Sequence, residues 1–291
     1  MNRATERGLT LLCWLCGLLP LAILCIVICY LLVRGGSSLN LALIFDRVPA
    51  MDALLGHQQV FDGLFPALCG TTMLVLLTLA LALIPGLCGG IYLAEYASPL
   101  ERRILGLLFD IIAGLPSIVI GLAGFSLSIL LHRLFPGRFG PCMLLSAMAL
   151  AFLILPYLVR STQAALNSIP QSLRITGPAL GASKLQNILL VLLPSRIQDI
   201  IGGIILAIGR AAEDTAVIML TGAVASAGMF RSLLDQYEAL PFYIYYISSQ
   251  YTDAEELQRG FGAALVLFTL CGLIFLLALL VEQGFSRRWK R

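Results

Sequence analysis

Residues Ile197–Gly222 read IQDIIGGIILAIGRAAEDTAVIMLTG, an apolar run long enough to cross a bilayer, with Arg210, Glu213 and Asp214 well inside it. Counted from Arg196, the last basic residue before the run, Arg210 lies ~21 Å along a helix rising 1.5 Å per residue, past the headgroup region. At that depth a guanidinium does not easily snorkel to water. An ionisable side chain so placed faces a protein interior or a water-filled path, which makes a transport site the first reading of this stretch.

The whole chain has a membrane composition. Of 291 residues 59% are hydrophobic and only 12% are charged, with a mean hydropathy of +0.94, whereas a soluble domain carries about a quarter of its residues as charges. Apolar stretches of spanning length run approximately over Leu9–Val33, Leu68–Leu93, Ile104–Leu131, Cys142–Val159, Ile197–Gly222 and Phe261–Val281, which predicts an all-α integral membrane protein of about six transmembrane helices. The first stretch follows Arg3 and Arg7, exceeds the apolar region of a signal peptide and ends at Arg34-Gly35-Gly36 without an A-x-A site, so it reads as a retained anchor.

Charge gives the orientation. With both termini in the cytoplasm, that side collects Arg3, Arg7, Arg102, Arg103, Arg160, Arg174, Lys184, Arg196, Arg287, Arg288, Lys290 and Arg291. The other side has only Arg34, Arg47, Arg133, Arg138, Arg231 and Arg259. The net charge of +3 is thus a topology signal rather than a nucleic-acid footprint, and membrane lipid is the expected surrounding. Three segments follow: an N-terminal anchor with its external loop over 1–63, a transmembrane domain over 64–282 and a basic cytoplasmic tail over 283–291. The eight cysteines, Cys13-x-x-Cys16 included, lack companion ligands and read as packing residues; His57 and His132 are isolated, and no metal site is expected.

Glycine and proline punctuate the spans. The connection from Arg34 to Ala67 scatters Asp46, Asp52 and Asp62 among residues that prevent one continuous helix. Pro85-Gly86 and Gly89-Gly90 are expected to interrupt or loosen the second span and to permit close approach of neighbours. Gly114-Leu115-Pro116-Ser117, then Gly121 and Gly124, suit tight packing, or a broken helix beside a path.

The connection Arg160–Arg196 is too long for a turn. Ser168 has the character of a cap ahead of Pro170, the short helix so begun should stop or bend by Gly177-Pro178, and a second helical start falls near Ala182. Within it, Gly181, nine residues and then Val191-Leu192-Leu193-Pro194 are similar to the second half of the EAA loop of ABC importer permeases, EAA-x3-G-x9-I-x-LP. Ile175-Thr176-Gly177 stand in the EAA positions, so the glutamate of that loop is missing, and Arg174 and Lys184 are the nearby charges.

Three further segments, GGIYLAEYASP at 89–99, AGLPSIVIGLAG at 113–124 and GRAAEDTAVIMLTG at 209–222, resemble PstA-type permeases of phosphate ABC importers, and the likeness extends over most of residues 64–282. Where that family commonly reads R-x-x-G-E-T, this chain has Arg210-Ala211-Ala212-Glu213-Asp214-Thr215. The resemblance implies the type I ABC importer permease fold and a subunit rather than a whole machine. It would pair with a second, PstC-like permease, two PstB-like ATP-binding subunits and an external PstS-like phosphate-binding protein in the bacterial inner membrane. No G-x-x-x-x-G-K-[ST] loop occurs in the chain, so ATP and Mg would be used by the partner ATPase, with no cofactor bound here and no catalysis of its own. Pro170, Arg174, Gly181 and Lys184 mark the cytoplasmic helix that would receive the ATPase stroke.

On a helix Arg210 shares a face with Glu213 and Asp214 at i+3 and i+4, and the three can neutralise one another. The triad therefore reads either as a lock on helix packing or, with Thr215, as part of the substrate path. A guanidinium fork suits phosphate, and an ionised carboxylate can accept the O–H that phosphate carries near neutral pH and sulfate lacks. Beyond it, Ala223–Arg259 is acidic and aromatic, with Tyr237, Tyr243, Tyr245, Tyr246 and Tyr251 read equally as an interfacial belt or a docking surface, and Thr252 and Glu255 spaced as a capping box. The competing functions are a sulfate- or molybdate-type ABC permease and, in another class, a proton-coupled secondary anion carrier; the carrier does not require the Gly181–Pro194 pattern.

Overall fold

A chain dissolved in lipid must satisfy its backbone internally, and this one does so with helices. The structure is a computed structural model that describes residues 3–289 apart from 47, 50, 53–57, 59, 62 and 137–139. Arg47, His57, Asp62, Arg138, Lys290 and Arg291, named above, lie outside the described residues. The elements are α1 (Arg3–Gly35), α2 (Leu41–Phe45), α3 (Phe65–Ile91), α4 (Pro99–Ala113), α5 (Ser117–Leu134) and α6 (Met143–Asn167). After them come the short α7 (Gln171–Arg174), α8 (Thr176–Ala179), α9 (Lys184–Asn187) and α10 (Leu193–Ser195), then α11 (Ile197–Glu213), α12 (Thr215–Thr221), α13 (Leu240–Gln250) and α14 (Ala254–Trp289). Among the described residues five helices are long and apolar enough to cross a membrane, or six when Lys184–Ser195 and Ile197–Glu213, bent by 73°, count as one.

The centre is the pair α3 and α6, held close by missing side chains. A Cβ on Gly86 would lie 2.6 Å from Leu158 Cβ, and one on Gly90 2.5 Å from Thr162 Cβ. Without a hydrophobic drive inside lipid, such close backbone approach is what lets dispersion hold helices together. Contrary to expectation, Pro85 does not interrupt α3, which runs unbroken to Ile91 and passes into a π-helical turn at Tyr92–Tyr96. On the flank, α1 lies along α14, with Tyr30 edge-on to Phe261 at 5.7 Å and Arg34 over the same ring at 5.6 Å.

Two expected spans are broken. Ile104–Leu131 divides at Gly114–Pro116: α4 opens on a Ser98–Glu101 capping box, and its charged residues prevent it from being a plain spanning segment. Ile104, Leu107, Leu108 and Ile111, at i, i+3, i+4 and i+7, form an exposed apolar stripe, so α4 is amphipathic and α5 alone is the span. Arg160 ties α4 to α6, reaching Asp110 Oδ1 at 2.6 Å and donating to the Gly106 carbonyl at 2.7 Å. Ile197–Gly222 likewise breaks at Asp214.

Smaller expectations are also corrected. Ser168 ends α6 instead of capping the next helix, its hydroxyl donating back to Ala165 O. As expected, the short helix begun after Pro170 stops before Gly177-Pro178, ending at Arg174; those two residues lie in the separate α8, and the turn closes at Gly181, whose φ of +82° suits only glycine well. The second start is capped by a Ser183–Gln186 box. Thr252 and Glu255 form no box: Asp253 accepts from Glu256 N, while Glu256 accepts from Thr252 N and Glu255 turns to Arg259. Of the eight free cysteines only Cys142 is buried, and Cys13, Cys16, Cys25, Cys29 and Cys88 lie on outward faces.

Neighbouring glycines of α11 provide a test. A Cβ on Gly203 would fall 2.4 Å from Ser161 Cβ on α6, whereas one on Gly202 meets nothing within 4 Å. Gly203→Ala should cost about 1–3 kcal/mol by overpacking, while Gly202→Ala should be neutral or slightly stabilising through helix propensity. Thermal unfolding of the purified protein in detergent, comparing the two midpoints, checks this.

Candidate functional site

The depth of the charged triad follows from how α11 and α12 lie along α6. Gly203 sits against Ser161, Ala207 and Ala211 pack with Leu158, Ile154 and Ala151, and the Thr221 hydroxyl donates to Ser146 Oγ at 2.8 Å. The register runs steadily along α6, which places Arg210 to Asp214 level with residues 151–154 of a helix spanning 143–167. That is close to the middle of the spanning helix α6.

The break at Asp214 is built by its own side chain. Glu213 ends α11, Asp214 takes an extended conformation (ψ 108°), and its Oδ1 accepts from Val217 N at 2.9 Å to cap α12. Its Oδ2 meets Arg210 Nη2 at 3.1 Å, while Arg210 Nη1 donates to Glu213 Oε1, also at 3.1 Å. Asp is among the best N-cap residues because its carboxylate reaches back over one turn. Thr215 opens α12 and is half-buried.

The expectation of three buried charges is corrected by their exposure. The Asp214 side chain is 3% exposed, but Arg210 is 30% and Glu213 67% exposed. The reason is the stripe on which they lie. One side of α11 packs on α6; another meets Phe275 of α14 and, through Ile208 and Ala212, Val75 of α3. Gly202, Leu206, Arg210 and Glu213 face outwards from the chain. Charges at mid-depth on an outer surface cannot face lipid without a large cost, so this face belongs to a partner or to water.

A second interrupted helix adjoins it. Gly121 of α5 lets the chain approach Ala216 and Val217 of α12, and a Cβ on Gly124 would lie 2.7 Å from Thr221 Cγ2. The Gly114–Pro116 break and the Asp214 break thus lie beside each other, with Leu115 packed against the cluster that includes Val217 and Ile218.

The four loop residues do not form one surface. Pro170 and Gly181 are exposed, whereas Arg174 turns inward to Glu95, a short ion pair, and Lys184 Nζ donates to the Glu95 carbonyl at 2.6 Å while lying 4.3 Å from the Tyr96 ring centre. Sequence reasoning missed Glu95; its signal was a lone acid ending the apolar segment GGIYLAEY. The Gly177 departure also has a reason, since a Cβ there would sit 2.3 Å from Oδ1 of Asn187, whose amide donates to Arg174 O at 2.9 Å. Ile175, Pro178 and Leu180 are exposed, giving the outer face of this loop an apolar part beside the exposed Gln171, Ser172 and Thr176.

At the opposite end the loop 222–239 folds on itself: Val224 N donates to Tyr237 O, and Glu238 Oε1 accepts from Ala227 N and Gly228 N. Tyr237 is wholly buried and is not part of an interfacial belt. Tyr243 and Tyr246 line an open cleft of about 640 Å³ with Asp46, Phe61, Ser226 and Arg259.

Residues 86–290 match the family model described as binding-protein-dependent transport system inner membrane component. The chain is 31% identical to the phosphate transport system permease protein PstA of Haemophilus influenzae, over 94% of this chain and 93% of that one. It is 29% identical to the probable ABC transporter permease protein YqgI of Bacillus subtilis, over 93% of each. Its fold superimposes on the MetNI methionine ABC transporter in an inward-facing conformation with a TM-score of 0.56 at 17% identity, covering 82% of this chain and 99% of that one.

The double use of Asp214 separates two variants. Asp214→Asn keeps the cap and loses the charge, whereas Asp214→Ala loses both. The alanine variant should be less stable than the asparagine variant by about 1 kcal/mol, read as the difference in denaturation midpoints.

Proposed function

As a member of the binding-protein-dependent transport system inner membrane component family, the chain is a multi-pass inner-membrane permease that works with other ABC subunits, and from that premise we propose that it lines half of an inorganic phosphate path with Arg210 on the path itself. The observation that carries this is the outward-facing guanidinium at mid-depth, flanked by Glu213 and capped from behind by Asp214. A second, PstC-like permease covers that face and closes the path.

In this reading Arg210 draws the anion by a charge-assisted, forked contact, and the incoming phosphate competes for it with the exposed Glu213. Glu213 is the mobile partner because the chain packs nothing over it, while Asp214 is fixed by its bond to Val217 N. A carboxylate beside the anion accepts a phosphate O–H, which favours phosphate over sulfate. Selection at high affinity falls to an external PstS-like binding protein, for which the Tyr243–Tyr246 cleft offers a polar and aromatic seat.

Both termini and the 170–187 loop lie on the cytoplasmic side in this proposal, following the basic residues. Two PstB-like ATPases supply the stroke, using ATP and Mg, with no cofactor on this chain. The loop meets one of them through Ile175, Pro178 and Leu180, an apolar face in place of the glutamate of the EAA pattern.

Purified transporter with all subunits, reconstituted in vesicles, provides the test. Arg210→Gln should lower phosphate uptake by at least about tenfold with subunit composition unchanged, and unchanged uptake would overturn the assignment. Sulfate should fail to compete with phosphate for transport. Leu180→Asp, which would bury an unpaired charge against the ATPase, should reduce phosphate-coupled ATP hydrolysis several-fold.

A further inference from the structure

The inner end of α3 and the 170–187 loop are fastened together more tightly than a surface loop requires. Glu95 stands in a π-helical turn, Tyr92–Tyr96, and its carboxylate pairs with Arg174, the two side chains being 11% and 20% exposed. Arg174 does more than pair: Nη2 donates to Leu166 O and Nε to Ile169 O at the end of α6. Lys184 holds the same residue from the other side through the Glu95 carbonyl, and its ammonium lies over Tyr96. One acidic residue thus joins the ends of α3 and α6 to both halves of the loop.

Beneath the ion pair Ala94, Leu166, Ile169, Ile188 and Leu192 form a closed apolar cluster. It is bordered by two π-helical turns, Tyr92–Tyr96 and Ile188–Leu192, one on each side of the loop. A π turn carries one residue more than an α turn and commonly marks a functional position. Both turns are built into the knot, one through Ala94 and Glu95, the other through Ile188 and Leu192.

We infer that Glu95, Arg174 and Lys184 form a latch that makes the loop and the end of α3 one lever, so that a displacement of the loop is passed to α3 rather than absorbed locally. Because α3 packs on α6 through Gly86 and Gly90, the movement reaches the centre of the bundle. The three are positioning residues: none touches the triad. This rests on the importer reading only for the source of the displacement.

The test uses the complete transporter in vesicles, with amide hydrogen exchange over residues 171–180 and phosphate uptake per ATP hydrolysed as paired readouts. Glu95→Gln, which keeps the shape, and Arg174→Gln, which shortens the side chain and removes its charge, should each speed exchange there by about tenfold and lower uptake per ATP several-fold. The double variant should be no worse than Arg174→Gln alone, which already removes the ion pair along with the bonds to Leu166 and Ile169. Unchanged exchange in the single variants, or effects that multiply in the double one, would overturn the latch; faster exchange with unchanged uptake per ATP would overturn the lever. Should the wild-type complex fail to move phosphate, the importer reading falls, and the exchange arm alone decides the latch.

Discussion

A carboxylate at the middle of a bilayer is tolerable only when every lone pair has a use, and Asp214 meets that condition with its two oxygens directed to different partners. One oxygen terminates an orphan N–H of α12, and the other neutralises Arg210. The two functions differ in what they need. On a continuous helix Asp214 could still meet Arg210 at i+4 but would have no cap to make; the break adds the bond to Val217 N, so that the buried carboxylate has a partner for each oxygen. Beyond the break the short α12 lies against Gly121 and Gly124 of α5.

The positions of the breaks explain why two spans that read as continuous are not. Irregular backbone is tolerated in a membrane where protein or a water-filled cavity covers it. Here the Gly114–Pro116 and Asp214 interruptions lie beside each other and each is covered by the other's helix, with Leu115, Val217 and Ile218 in one cluster. Close packing is therefore a consequence of the interruption as well as of small residues. Glycines at Gly86, Gly90 and Gly203, by contrast, bring unbroken helices together, which shows that glycine content alone does not forecast a break.

The membrane class, the number of spans and the weight of Ile197–Gly222 were legible because they rest on hydropathy and on the high cost of buried charge, both local properties of sequence. The side on which each charge lies was not. Exposure of Glu213 and burial of Asp214 depend on a one-residue difference in angle around α11 and on a cap that periodicity does not reveal. Glu95 escaped notice for a related reason: its partner Arg174 is distant in sequence, and nothing near Glu95 announces the pairing. Ser168 and Thr252 were misplaced by a residue or more because a serine after a long helix can close it as well as open the next, and because Asp253 is the better cap beside Thr252.

The loop 170–187 then acquires a division between its two faces. Its inner face is polar and specific, with Arg174, Lys184 and Asn187 all bonded back to the bundle, while its outer face presents Ile175, Pro178 and Leu180. Geometric control of the loop thus resides on the side of the bundle, where Gly177 allows Asn187 close enough to hold the Arg174 carbonyl.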